Sequence, residues 1–97
     1  MVKMIVKKSD KAEKKYVAIF TKDDGKIKKT YFGSAGMDDY TITKDKEQRK
    51  RYRPRHATDL DTKDPTRAGY LSYNLLWGDS SSLRENIKNY KKRFNFT

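Results

Sequence analysis

Asp24-Gly25 stands between two runs of strand-forming residues, and this arrangement constrains the fold more than any other feature of the chain. Tyr16-Val17-Ala18-Ile19-Phe20-Thr21 is β-branched and aromatic, and Lys26 to Phe32 answers it on the far side of the Asp-Gly pair. Asp-Gly supplies the positive φ angles of a tight hairpin turn. A two-residue loop and a three-residue loop with a bulge place Tyr31 and Phe32 opposite different partners, so the sequence leaves the register open. An isolated hairpin is only marginally stable in water. A third strand is therefore expected, from Met4-Ile5-Val6 or from Thr41-Ile42-Thr43.

Helical patterning takes over after a connecting loop, Gly33 to Tyr40, which matches neither the P-loop nor the dinucleotide fingerprint. Lys44 to Arg53 is rich in helix formers, with Thr43 as N-cap, acids in its first turn and bases in its last, as the helix dipole favours. Pro54 is expected to end it by driving Arg53 out of helical geometry. Its apolar anchors are Tyr52 and, just before it, Ile42, so most of its surface faces water or a partner. Asp64-Pro65 predicts the next helix start, and Trp77-Gly78 its stop. Ala68, Leu71, Leu75 and Leu76 lie along one side, widened by Tyr70, Tyr73 and Trp77, which makes this the core helix. Ser82-Leu83-Arg84-Glu85 is a capping box. Leu83, Ile87, Tyr90 and Phe94 follow at helical spacing, leaving Arg84, Lys88, Lys91, Lys92 and Arg93 on the remaining surface.

These elements describe an α+β protein: a small N-terminal antiparallel β-hairpin or three-stranded sheet packed with two to three short α-helices. Residues 1–14 are expected as a basic strand or arm and residues 15–97 as a single domain, because 97 residues are too few for two independent cores. Apolar residues make up 34% and charged residues 38%, which leaves a thin core that a partner completes; aromatics at 12% supply much of what can be buried.

The net charge of +11 is distributed in blocks. Residues 1–15 hold six basic against two acidic side chains, residues 44–56 seven against two, and residues 83–97 five against one; the stretches between are neutral or acidic. Three separated blocks set up a positive potential that attracts phosphate backbones, anionic lipid head groups or acidic protein surfaces. The middle block is the densest, and its apolar content explains it least.

Catalytic chemistry finds little support. The chain has no Cys and one His, which removes disulfides, Cys/His zinc sites and thiol nucleophiles. Asp59, Asp61 and Asp64 are of the right type for a hard cation, and a metal enzyme such as a nuclease would use them, but Asp64 is accounted for as a helix cap. His56 with Asp59 and Asp61 has the composition of a general base, although a lone His at an Arg-rich helix end is more commonly a surface or packing residue. Asp38-Asp39 reads as a turn, and Ser80 to Ser82 lack an adjacent base. No cofactor is implied, and the protein is expected not to be an enzyme.

Candidate binding residues are Lys44, Lys46, Arg49, Lys50, Arg51, Tyr52, Arg53, Arg55 and His56, with Lys88, Lys91, Lys92 and Arg93 on the last helix. The arginines suit phosphate, and Tyr40 and Tyr52 are candidates for stacking on bases or lying beneath cations, whereas Trp77 is expected in the core. No zinc finger, RNP pattern or helix-turn-helix accompanies them, which argues against sequence-specific recognition. The short apolar stretch Met4-Ile5-Val6 is too short for a signal peptide, and no segment has the length of a transmembrane span, so an intracellular or packaged protein is expected.

Phe32-Gly33, Asp39-Tyr40-Thr41, Asp45, Arg49, Tyr52, Arg55-His56, Asp64-Pro65, Ala68-Gly69, Leu71-Ser72, Leu75-Leu76-Trp77 and Tyr90-Lys91-Lys92-Arg93-Phe94 occur in an order that resembles a family of short, functionally undescribed proteins of nucleocytoplasmic large DNA viruses, of the algal-virus and mimivirus-like groups. Asp59-Leu60-Asp61 departs from that pattern by lacking an aromatic. The resemblance implies a setting, a virion or a viral factory in the host cytoplasm, and no mechanism. In that setting the leading expectation is a minor capsid or cementing protein whose partners are larger virion proteins or another acidic surface. The alternative is a nonspecific DNA-binding or DNA-condensing protein, and anionic membrane head groups are a further class of partner.

Overall fold

The computed structural model describes residues 1–97. Lys3–Lys8 (β1), Lys14–Thr21 (β2) and Ile27–Ser34 (β3) form an antiparallel sheet in the order β1-β2-β3. The third strand thus comes from the N-terminal apolar stretch; Thr41-Ile42-Thr43 lies instead in a helical turn, Tyr40–Thr43 (α1). Asp39 starts that turn, its carboxylate accepting from the Thr41 amide and hydroxyl.

The hairpin register is now defined: Thr21 faces Ile27 and Phe20 faces Lys28. The loop has three residues, Asp23-Asp24-Gly25, closed by the Lys22 amide donating to the Lys26 carbonyl at 2.8 Å. Gly25 takes φ 85°, the left-handed bulge position that a side chain would strain. Cross-strand pairing puts Met4, Val6, Tyr16, Ala18, Phe20, Thr30 and Phe32 on one face, where Met4, Ala18, Phe20 and Phe32 are buried.

That face packs against helices. Lys46–His56 forms α2, a 3₁₀ segment covers Ala57–Thr62, Ala68–Leu71 (α3) continues as a π-helical stretch Ser72–Leu76, and Leu83–Phe94 forms α4. Leu71, Leu75, Leu76, Trp77, Tyr40 and Tyr90 close one core with the sheet residues. The π-turn brings the Trp77 amide to the Ser72 carbonyl at 3.1 Å, and the Asn74 side chain donates to the Tyr70 carbonyl at 3.0 Å.

Two helices differ in their boundaries from the sequence expectation. Asp45, not Thr43, caps α2, accepting from the Glu47 and Gln48 amides, and the helix runs through Pro54 to His56. Proline inside a helix costs roughly 3 kcal/mol. Contacts on both sides of it hold the geometry: Tyr52 and His56 stack across the proline with centroids 4.0 Å apart, and Arg53 is bonded to the Trp77 carbonyl. Asp64-Pro65 does not open the core helix, which begins at Ala68. The Asp64 carboxylate accepts from the Thr66 amide and hydroxyl, while the Pro65 and Thr66 carbonyls are taken by the Tyr90 hydroxyl (2.6 Å) and the Thr30 hydroxyl (2.7 Å). Those carbonyls would otherwise accept the next helical amides, so tertiary bonds delay the helix.

The capping box does form its forward bond, from the Glu85 amide to the Ser82 hydroxyl at 3.2 Å. Asn95 ends α4 in a left-handed conformation at φ 57°. Beyond it Phe96 packs edge-on against Phe20, and Thr97 exchanges backbone bonds with Val2 and Met4, so the two chain ends meet beside β1.

Candidate functional site

Helix α2 buries no residue. Its attachment comes from one stripe, Arg49, Tyr52, Arg53 and His56, at the spacing that lines up along a helix. Arg49 Nε donates to the Gly78 carbonyl at 2.6 Å and its terminal nitrogen reaches Asp79 at 3.0 Å. Arg53 donates to the Trp77 carbonyl at 2.7 Å and lies over the Tyr73 ring at 4.3 Å. The two guanidiniums thus serve the carbonyls at the end of the π-helical stretch, a favourable place for cations.

Tyr52 sits between Trp77 and His56 in a three-ring stack, with centroids 4.2 and 4.0 Å away. Both faces of its ring are covered, so Tyr52 offers no face for a base. Burial, with Asp59 and Asp39 adding repulsion, pushes its hydroxyl up to about 12. Tyr40 is buried in the core with the Arg49 guanidinium over it at 5.7 Å, and is likewise no stacking platform. Trp77 is a core residue.

The remaining cations of the segment take no part in this attachment. Lys44, Lys46, Lys50, Arg51 and Arg55 are exposed, and none has a carboxylate within ion-pair distance. Arg55 Nε bonds only the Arg51 carbonyl, at 3.2 Å. Of the α4 candidates, Lys88, Lys92 and Arg93 are exposed and Lys91 is half-buried. Arg93 and Arg53 line one small pocket of about 100 Å³ with Asn74, Asn86 and Asn89, so the middle and last basic blocks meet there.

Beneath α2, between its inner side, the end of the sheet and the core helix, runs an open cleft of about 700 Å³. Lys14, Lys15 and Arg55 line it against Asp38, Asp39 and Asp59. Lys15, half-buried, pairs with the buried Asp39 at 2.6 Å, and His56 Nδ1 lies 3.4 Å from Asp59. The cleft is charge-balanced, and it gives no net field for a polyanion. Gly69 fits here because a Cβ would meet Asp59 at 2.9 Å.

Sequence reasoning missed the roles of two polar residues, Lys15 and Asn86. Lys15 looked like part of the N-terminal block but neutralises Asp39, which is 1% exposed. Asn86 donates to the Leu75 and Ser80 carbonyls and accepts from the Ser80 amide, tying α4 to the core helix. Its place on the apolar stripe of α4, one residue before Ile87, was the available signal. Asp59, Asp61 and Asp64 do not gather: no three His, Cys, Asp or Glu side chains come together as a metal site. No helix is long and apolar enough to cross a membrane.

A model for a family of unknown function, DUF5754, matches residues 4–56, more than half of the chain. The chain is also 36% identical over 78 residues to an uncharacterised protein, L851, of Acanthamoeba polyphaga mimivirus, covering 74% of this chain and 78% of that one. No solved structure matches.

Proposed function

The chain belongs to the family of unknown function DUF5754, and on that premise we propose that it is a non-enzymatic structural protein of a large DNA virus particle, docking on an acidic surface of a larger virion component through the outward face of α2. The viral relative supports the setting. One observation carries the mode of action: the helix divides its cations, spending Arg49 and Arg53 on the protein and leaving Lys46, Lys50 and Arg51 exposed and unpaired. A tethered helix holds those charges in fixed positions, so a partner gains attraction without ordering a flexible arm.

Fractionation of disrupted particles tests this reading. The protein is expected with the capsid shell, and Lys46→Glu/Lys50→Glu/Arg51→Glu is expected to be absent from particles while keeping the wild-type circular dichroism spectrum. Recovery only in free cytosol or with the DNA core would sink it. A second reading, nonspecific DNA binding, draws on a different observation, the meeting of Arg53 and Arg93, from the middle and last basic blocks, at one pocket that Asp79 also lines. It requires duplex binding that falls steeply with salt, with a slope reduced by about one for each cation removed.

A further inference from the structure

The sheet has a second face, and its composition is unusual for one turned away from the helices. Register places three cross-strand rows there: Lys7-Val17-Tyr31, Ile5-Ile19-Lys29 and Lys3-Thr21-Ile27. A solvated antiparallel face ordinarily alternates to polar residues. Here Ile5 and Ile27 are 43% and 62% exposed, and Ile19, beside Ile5 in its row, is half-buried. The polar complement is mostly basic: Lys3, Lys7 and Lys29 are exposed and in no ion pair, and Asp10, which lines the same face, accepts from the Tyr31 hydroxyl. A depression of about 210 Å³ opens between Lys7 and Lys29, with Val17 and Ile19 among its lining residues.

We infer that this face is a docking surface for an acidic amphipathic helix of a protein partner. The dimensions fit: three strands about 4.8 Å apart span about 10 Å, the width of one helix. Charge selects the occupant, because Ile5 lies between Lys3 and Lys7 along β1 and Ile27 stands next to Lys29 on the same side of β3, so a helix with an apolar stripe flanked by carboxylates satisfies both. A second copy would bring lysines against lysines. A nucleic acid strand would need open aromatic rings, and Tyr31, the one aromatic of the face, bonds Asp10 at 2.7 Å and carries Lys11 over its ring at 4.2 Å. The inference rests on the proposed docking role and extends it, since a second contact on a different side from α2 turns a docked subunit into one that cements two neighbours.

The test uses the full chain and three probes: a designed helical peptide with leucines on one face flanked by glutamates, a scramble of the same composition, and a single-stranded oligothymidylate. The helical peptide is expected to bind at least about tenfold more tightly than its scramble. Ile5→Ser/Ile27→Ser and Lys3→Glu/Lys7→Glu/Lys29→Glu are each expected to weaken it about tenfold with the fold intact, because the side chains changed are exposed. The α2 charge-reversal protein is expected to keep peptide binding within about twofold. Equal binding of the scramble, preference for the oligothymidylate, loss only in the α2 variant, or a self-dimer dispersed by Ile5→Ser/Ile27→Ser would overturn the inference. Particle incorporation separates the two ideas: sheet variants that still assemble fully remove this inference alone, and an α2 variant that still assembles removes the docking role alone.

Discussion

At the scale of single residues, the side chains that look alike in sequence divide by what their polar atoms meet. Tyr52 is half-buried in its ring stack, and burial is the leading cause that raises the pKa of its hydroxyl. Its folded value of about 12 lies above the ordinary 10.0, so the neutral form is the one the fold accommodates. Stability from this group is therefore complete below pH 10.0 and is lost as pH rises through about 12. Tyr90 adds to the same loss: it is held up further still by burial. Tyr52→Phe is expected to leave neutral-pH stability within about 0.5 kcal/mol and to move the midpoint of base unfolding upward. Alkaline titration followed by circular dichroism checks it, and superimposable profiles would refute the role of burial. Composition alone did not separate Tyr52 and Tyr40 from solvent-facing tyrosines, because their burial depends on the loop Trp77 to Asp79, far away in sequence.

At the scale of elements, local signals located the pieces better than their ends. The Asp-Gly hairpin and the Ser82 cap were legible because each is decided within a few residues. The start at Ala68 and the passage of α2 through Pro54 were not, because distant partners, Thr30, Tyr90 and Trp77, decide them. The basic character of α2 was equally plain in sequence, yet the split between tether and free charge depends on which cations reach the Trp77 and Gly78 carbonyls. That split has a measurable form. Arg53→Ala removes a charged hydrogen bond, a change worth roughly 1.5–3 kcal/mol, and frees the C-terminal half of α2. Hydrogen exchange across Lys50–His56 is expected to quicken, whereas Lys50→Ala, at an exposed position, is expected to change stability by less than about 0.5 kcal/mol. Equal effects from both substitutions would show that the helix is held otherwise.

At the scale of the whole molecule, the thin core is closed by bringing the chain ends together. Met4 is 0% exposed and packs in the same core as Phe20 and Tyr90, its amide donates to the Thr97 carbonyl at 3.0 Å, and the Thr97 amide returns a bond to Val2 at 2.9 Å. The first basic segment is thus an integral strand that carries charge on its outer side and core on its inner side. This pairing of ends is not visible in the hydrophobic pattern, where Met4-Ile5-Val6 and Phe94 to Thr97 look like separate short runs. Met4→Ala opens a void at a fully buried site, a change that costs about 2–5 kcal/mol. A domain of this size is stable by only about 5–15 kcal/mol, and each kcal/mol moves its melting temperature by roughly 4–8 °C. The variant is therefore expected to melt about 10 °C or more below wild type, with amide protection lost at both ends of the chain, in β1 and around Phe96, since the same contacts hold both. Thermal melts paired with hydrogen exchange provide the check. A melting temperature within about 2 °C of wild type, a shift corresponding to well under 1 kcal/mol, would mean that β1 is dispensable to the core and that its lysines sit on an arm, not on a rigid face.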